Sequence, residues 1–299
     1  MAAITTILYQ SPLFEVGEFR CPAGDPRWSE VNSIGDGDHL VFPGPAVGIR
    51  HERGRMTVAD PTLVVYYRAG EHYRRQLRDA RGDESVFVIP SAPALSGIDG
   101  AELAFHARFG PAGRAAYASQ AVLVAALRRR PQLDPLLVEE LLLSVVADSL
   151  ARAGREIRAP RTPCDDAVEQ ARASLATGYA ERRSLAAIAS DVGVSPFHLA
   201  RRFRLRTGRS LHQYRDQVRL RQALLRLRDP VDLGRLALDL GYCSHSHFTD
   251  AFRRSFGLPP SAVRGGSAGA LRQLAERLPA PDSEMPEPRQ SGGGDTPCP

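Results

Sequence analysis

Two stretches decide the reading of this chain: LAAIASDVG at residues 185–193 and LGRLALDLG at residues 233–241, which match at an offset of 48 with Leu185, Ala189, Asp191 and Gly193 repeated identically. Past the glycine an offset of 49 pairs Leu199 with Phe248, Phe203 with Phe252, Gly208 with Gly257 and Arg215 with Arg264. Each copy has the grammar of a helix-turn-helix. A short first helix carries Leu185, Ile188 and Ala189 on one face, or Leu233, Leu236 and Ala237 in the second copy. A glycine, Gly193 or Gly241, sits where the turn calls for a positive φ, and Ser195 or Ser244 is placed to cap a second helix. Inward positions of that second helix are Leu199 and Phe203, then Phe248 and Phe252. Between the copies, residues 210–228 with Tyr214, Val218, Leu220, Leu224, Leu225 and Leu227 read as one helix that fixes their separation.

Outward positions of the two second helices are free to enter a major groove. In the first copy these are Pro196, Phe197, His198, Ala200, Arg201 and Arg204, behind the cap Ser195. Arg201 can present two donors to guanine O6 and N7, and Phe197 either packs on a thymine methyl or is the surface edge of the core. In the second copy they are His245, Ser246, His247, Thr249, Asp250 and Arg253, behind the cap Ser244. His245 and His247 stand two apart on a helix, so they point in different directions and do not make a chelate by themselves.

The rest of the chain supports a DNA-directed reading. Its 299 residues, 43% hydrophobic and 24% charged, exclude fibrous and wholly disordered classes and suggest two domains. The 39 basic side chains are all arginine, against 34 acidic ones. Genome composition is the plain account of that choice, and any nucleic-acid site must rely on arginine's rigid donor fork. Residues 164–264 hold 17 arginines and 10 carboxylates, a net of +7, which leaves −2 for everything else. The basic character is concentrated in one third of the chain.

Before residue 111 the sequence reads as short extended pieces, LVFPG, VGIRH, TLVVYYRAG and SVFVIPS, separated by turn clusters such as CPAGDP, IGDGD and RGDES. That pattern predicts an antiparallel sandwich or barrel. Residues 112–158 turn helical, and LDPLLVEELLLSVVADSLARA at 133–153 carries more apolar surface than one stripe. This helix is either a core element or, through Leu137 and Leu141, a homodimer surface. The prolines of APRTPCDD place an interdomain linker at 159–166, and the Pro, Gly and Ser content of 279–299 predicts a disordered tail. The four cysteines, Cys21, Cys164, Cys243 and Cys298, form no C-x-x-C pair. No stretch reads as a membrane span or leader, so a cytoplasmic, nucleoid-associated protein is expected.

With these motifs on the page, the chain resembles the AraC/XylS family of bacterial transcription regulators. The resemblance is carried by SLAAIASDVGVSPFHLARRFRLRTGRSLHQY, by RLRQALLRL, and above all by GYCSHSHFTDAFRRSFGLPPSAVR, with Gly241, Ser244, Phe248, Phe252, Phe256, Gly257, Pro260 and Arg264 in the signature positions. It covers about a hundred residues, 167–266. It implies an α+β chain with a two-unit helix-turn-helix domain whose recognition helices enter successive major grooves of promoter DNA about one turn apart. It implies no catalytic role and no cofactor, with RNA polymerase as a further partner. Asp250 departs from the family, where many members carry a polar or basic residue, which weakens the expectation of direct contact there.

FRCPAGDPRW (residues 19–28) and NSIGDGDHLVFP (residues 32–43) resemble the sensor region of one subset of the family. That implies a cupin-like β-barrel over residues 1–111 and an unknown effector. His39, His51, His72 and His106 form no H-x-H pair and read as ordinary surface or core histidines rather than ligands. The alternatives are a non-specific architectural DNA-binding protein and a cupin-type metalloenzyme with a DNA-binding appendage. The first calls for a larger and more uniform charge. A repair sensor with a zinc-bound cysteine acceptor needs a cysteine cluster, and only Cys21 stands in the first 163 residues. The sequence also lacks G-x-S-x-G, P-loop, H-E-x-x-H and G-x-G-x-x-G motifs.

Overall fold

The structure, a computed structural model, describes residues 3–52, 54–98, 101–129, 133–153, 164–264 and 266–277. The strands are β1 Ile4–Gln10, β2 Phe14–Cys21, β3 Asn32–Ser33, β4 His39–Pro43, β5 Val47–His51, β6 Thr57–Ala59, β7 Leu63–Tyr67, β8 His72–Leu77, β9 Asp83–Pro90 and β10 Phe109–Pro111. They pair antiparallel into two sheets, of order β1-β2-β9-β4-β7-β10 and β3-β8-β5-β6. No ladder joins one sheet to the other among the described residues, so the expected closed barrel is replaced by two facing sheets. Two short helices, α1 Ala92–Leu95 and α2 Ala101–Ala107, interrupt a region that the sequence pattern gave to extended chain.

Period-two alternation gives the larger sheet two apolar faces. Phe14, Val16, Leu40, Phe42, Val64, Tyr66, Val86 and Val88 join the main core with the helices α3 Arg114–Arg129 and α4 Pro135–Ala153. Val41, Val65, Tyr67, Phe87 and Ile89 point the other way, toward Val47 and Ile49 of the smaller sheet, and help to line an intersheet cavity.

Helix α4 buries Val138, Leu141, Leu142, Val145, Val146 and Leu150 and packs against α3, α2 and β10. Leu141 belongs to this chain's own core, 1% exposed, and is not available to a partner. The leucines of α4 that reach solvent are exposed Leu136 and half-buried Leu137 and Leu143.

The helices that follow are α5 Cys164–Thr177, α6 Leu185–Asp191, α7 Pro196–Thr207, α8 Leu211–Arg226, α9 Leu233–Asp239, α10 His245–Phe256, α11 Pro260–Val263 and α12 Ala268–Ala275. Of the linker expected at 159–166, residues 159–163 lie outside the described residues and 164–166 begin α5; the tail expected at 279–299 also lies outside them. A single apolar core runs from the outer face of the larger sheet through α3 and α4 into α5–α12.

Candidate nucleic-acid interface

The internal repeat is two copies of one helix pair. Helices α6 and α9 have 7 residues each, and α7 and α10 have 12 each. The turn between α9 and α10 is one residue longer than that between α6 and α7, which explains why the offset grows from 48 to 49 past the glycine.

Local chemistry sets both copies in the same way. Gly193 and Gly241 adopt φ of 68° and 81°, a left-handed conformation that side chains with a Cβ resist. The Ser195 and Ser244 hydroxyls each accept the backbone N–H three residues on, His198 and His247, at 3.2 Å. These bonds satisfy donors that the first turn of a helix leaves open. At the far ends Gly208 and Gly257 terminate α7 and α10, again with positive φ. Leu199 and Phe203, like Phe248 and Phe252, are fully buried. The paired arginines close the entrance to their own units: Arg215 donates to the Glu181 carbonyl at 3.4 Å, and Arg264 to the Val231 carbonyl at 2.7 Å.

That burial turns the opposite faces outward. Ser195, Pro196, Phe197, His198, Arg201 and Arg204 are exposed, and Ala200 is half-buried. In the second copy Ser244, His245, Ser246, His247, Asp250 and Arg253 are exposed, and Thr249 is half-buried. Phe197 is 72% exposed, so it projects from the surface instead of edging the core. The His247 ring stacks edge-on to Tyr242 with centroids 5.3 Å apart, and His245 lies 3.4 Å from the Thr249 hydroxyl.

Arginines on the first reading helix divide by side. Arg202 and Arg206 face Asp165 of α5, at 2.9 and 3.6 Å. Arg201 and Arg204, on the exposed side, make no ion pair among the described residues, nor does Arg253 on α10. Guanidinium groups held by carboxylates anchor α7 to α5, while those left open to water are available to an anionic or guanine-bearing partner. Among the described residues no three His, Cys, Asp or Glu side chains cluster as metal ligands.

Both helix pairs are joined through α8, which begins with a reciprocal capping box between Ser210 and Gln213. The sequence pattern presents α8 as a connector, and the structure adds a second role. Its far side docks on the β-region. Arg221, fully buried, donates to the Ala112 carbonyl at 2.7 Å and to the Pro61 carbonyl, and lies 4.8 Å from the Tyr117 ring centre. Burial pulls its pKa down to about 10, so it stays charged at neutral pH. Gln222 donates to the Gly44 carbonyl at 2.9 Å, Arg228 meets Glu18 of β2 at 3.1 Å, and the Tyr214 hydroxyl bonds Asp60. Sequence periodicity does not reveal these residues, because a buried arginine and an exposed one look alike in a helical pattern. The one local signal is Arg221, which falls on the same helical side as the apolar Tyr214 and Val218.

A helix-turn-helix domain family matches residues 188–266, spanning both copies. The chain is 38% identical over 78 residues to the regulatory protein SoxS of Salmonella typhimurium, a match covering 26% of this chain and 73% of SoxS. It is 37% identical over 79 residues to the HTH-type transcriptional regulator GlxA of Rhizobium meliloti, covering 26% of this chain and 24% of GlxA. With the HTH-type transcriptional activator RhaS of Escherichia fergusonii it shares 33% identity over 95 residues, 31% of this chain and 34% of RhaS. Thus the matched segment spans a quarter to a third of GlxA and RhaS, and most of the shorter SoxS. The fold and the matched segment define a helix-turn-helix protein of the transcription-regulator class. More particularly, the chain belongs to the AraC/XylS family.

Proposed function

We propose that this chain is a sequence-specific regulator of transcription that reads promoter DNA with α7 and α10 in successive major grooves, under control of its β-region. The observation that carries the reading is the pairing of two equivalent, serine-capped helices whose polar faces are open and whose apolar faces are locked to one scaffold. Reading two grooves in one register requires that kind of fixed separation. Arg201 is the base-reading arginine of the first helix, Arg204 and Arg253 are placed for bases or phosphates, and Phe197 meets a thymine methyl. The short polar side chains of α10, His245, Ser246, His247 and Thr249, suit base edges or the backbone.

In domain terms, residues 1–111 sense, 112–158 brace, and 167–266 read. Control passes through α8 and α3. Pro43 lines the intersheet cavity, its carbonyl accepts the Tyr117 hydroxyl of α3 at 3.0 Å, and its neighbour Gly44 accepts Gln222 of α8. A change in the cavity wall is therefore one residue away from the helix that spaces the two readers. Helix α10 also packs against α3, which gives the second reader its own contact with the brace. RNA polymerase is the further partner. Leu136, Leu137 and Leu143 of α4 are the surface on which a second copy docks.

Selection of bound sequences from a random DNA pool by the full-length protein, followed by anisotropy titration, tests the reading. An asymmetric motif of two short blocks about one turn apart, preferred about 10³-fold or more over a scrambled control, supports it. Binding with no motif that collapses uniformly with salt refutes it in favour of a DNA-coating protein.

A further inference from the structure

The space between the two sheets is a cavity of about 580 Å³, in the range that encloses small organic ligands. One end is closed by a polar cluster whose charges are met within the protein. Arg75 donates to Asp83 Oδ2 at 3.2 Å and to Asn32 Oδ1 at 2.7 Å, and the Arg75 and Asp83 side chains are 2% and 7% exposed. This pair neutralises itself and is sealed into the wall, so it offers no charge to a ligand.

The other end carries unmet acceptors. Glu15 of β2 stands opposite Ile89 of β9, and His39 of β4 opposite Tyr67 of β7; the register that sets Leu40 opposite Val88 places His39 beside Ile89. Glu15, Ile89, His39 and Tyr67 thus form one row across four strands, on the face that lines the cavity. Glu15 Oε2 accepts from the Gln10 amide at 3.3 Å, while Oε1 makes no hydrogen bond among the described residues. His39 Nδ1 lies 2.9 Å from the Gly37 carbonyl, which can only accept, so the proton is on Nδ1. Burial holds the ring below its ordinary pKa of 6.5 and hence neutral, which leaves a lone pair on Nε2. Tyr67 is 4% exposed, and its hydroxyl, which makes no hydrogen bond among the described residues, is not sealed from the cavity that its ring lines.

The open charges around the cavity are Glu15, Glu30 and Asp36 against Arg27. That excess is negative in a chain whose net charge is +5. A carboxylate and an imidazole lone pair call for donors, and the excess calls for positive charge. An ammonium supplies both. The Phe87 ring, centred 5.7 Å from that of His39, adds a π face that favours a cation.

We infer that the intersheet cavity binds a small organic amine, its ammonium donating to Glu15 Oε1 and His39 Nε2 and its polar body meeting the Tyr67 hydroxyl. This assignment rests on the regulatory reading of the β-region and names the class of that region's effector. A free carboxylate meets only acceptors and like charge at that end. An alcohol has one donor for two acceptors and leaves the excess charge unmet.

Isothermal titration calorimetry of the full-length protein with tyramine, tyrosol and 4-hydroxyphenylacetate tests the assignment, because these share a phenol body and end on an ammonium, a hydroxyl or a carboxylate. Tyramine is expected to bind with a Kd at least about tenfold below that of tyrosol, and 4-hydroxyphenylacetate more weakly than either. Glu15→Gln, which keeps the shape and removes the charge, should erase that preference while tyrosol binds as before. Tyr67→Phe should weaken tyramine and tyrosol alike. Val41→Phe, which fills the cavity and leaves the acceptors in place, should abolish saturation by all three compounds, with circular dichroism as the check on folding. Tighter binding of tyrosol or 4-hydroxyphenylacetate than of tyramine overturns the class, and so does an amine preference that survives Glu15→Gln. No saturable heat with tyramine at millimolar concentration, or saturation indifferent to Val41→Phe or to Tyr67→Phe, overturns the site. None of these titrations contains DNA, so their failure is separate from a failure to find a DNA motif.

Discussion

Alanine at the two turn glycines should have unequal consequences, and the inequality follows from what surrounds each. Gly193 has φ of 68°, and a Cβ built there meets nothing within 4 Å. Gly193→Ala therefore incurs only the cost of left-handed backbone in a residue with a Cβ, about 1–2 kcal/mol. Gly241 has φ of 81°, and its Cβ would stand 2.4 Å from the Ala180 carbonyl oxygen and 2.8 Å from an Arg219 guanidinium nitrogen. Arg219 can swing only by giving up its 2.6 Å bond to the Tyr179 carbonyl, and the Ala180 backbone cannot retreat without moving the segment between α5 and α6. Overpacking of this kind adds about 1–3 kcal/mol to the backbone cost. Gly241→Ala should thus lose about 2–5 kcal/mol, against about 1–2 for Gly193→Ala. Urea unfolding followed by far-UV circular dichroism measures both, and at an unchanged m-value the midpoints rank them. Equal losses, or a greater loss at Gly193, would refute the claim that the second unit is seated directly on the α5–α6 segment. Because that seat relates the two readers, Gly241→Ala should also weaken cognate DNA binding more than Gly193→Ala does under conditions where both remain folded.

Other outcomes follow from the same geometry. Arg201→Ala should weaken binding to the selected site by about 1–3 kcal/mol and relax preference at one base position; an equal loss on all sequences would assign Arg201 to a phosphate. On α4, Leu141→Glu should unfold the protein because it places a carboxylate in the core, whereas Leu136→Glu should leave the fold intact and test the dimer surface by sedimentation. His51 is buried beside Glu71 at 2.9 Å, and desolvation holds its pKa below the ordinary 6.5 despite that carboxylate. The folded state then binds fewer protons than the unfolded chain, so stability is held above pH 6.5 and falls as pH drops below it. His51→Met should flatten that acid limb in thermal melts between about pH 7 and 5.5, and an unchanged slope would assign the acid sensitivity to other groups.

What was legible in the sequence is what local chemistry dictates. The helix pairs announce themselves through Leu-x-x-x-Ala spacing, a turn glycine and a capping serine, all within 20 residues, and the outward residues follow from the inward ones by helical geometry alone. The core strands of the β-region were visible as β-branched runs, but their pairing was not. Phe14 lies opposite Pro90, and Leu40 opposite both Tyr66 and Val88, partners that no short window contains. The barrel expectation failed for the same reason, since closure depends on which edges meet. The cavity cluster was hidden further still: Asn32, Arg75 and Asp83 lie on three strands and look like surface residues in a linear text.

Arginine content also misstates the charge available to DNA. The net of +7 in residues 164–264 counts Arg219 and Arg221, which are buried with backbone carbonyls as partners, Arg228, which is paired to Glu18, and Arg202, which is held by Asp165. These side chains hold α8 and α7 in place and release no counterions when DNA arrives. Arg201, Arg204, Arg253 and Arg254 remain exposed on the two reading helices. With Arg201 on a base, about three phosphate neutralisations, by Arg204, Arg253 and Arg254, give a log–log salt slope for specific binding near −3, since each contributes about −0.9. Anisotropy titrations across a range of salt concentrations measure the slope directly. A value steeper than about −8 would mean that the buried arginines come free on binding, and with them the docking of α8 on the β-region. A slope near −3 would mean that the protein meets DNA with its scaffold closed, so that control of binding lies in how far α8 holds the two readers from their spacing and not in release of a masked basic surface.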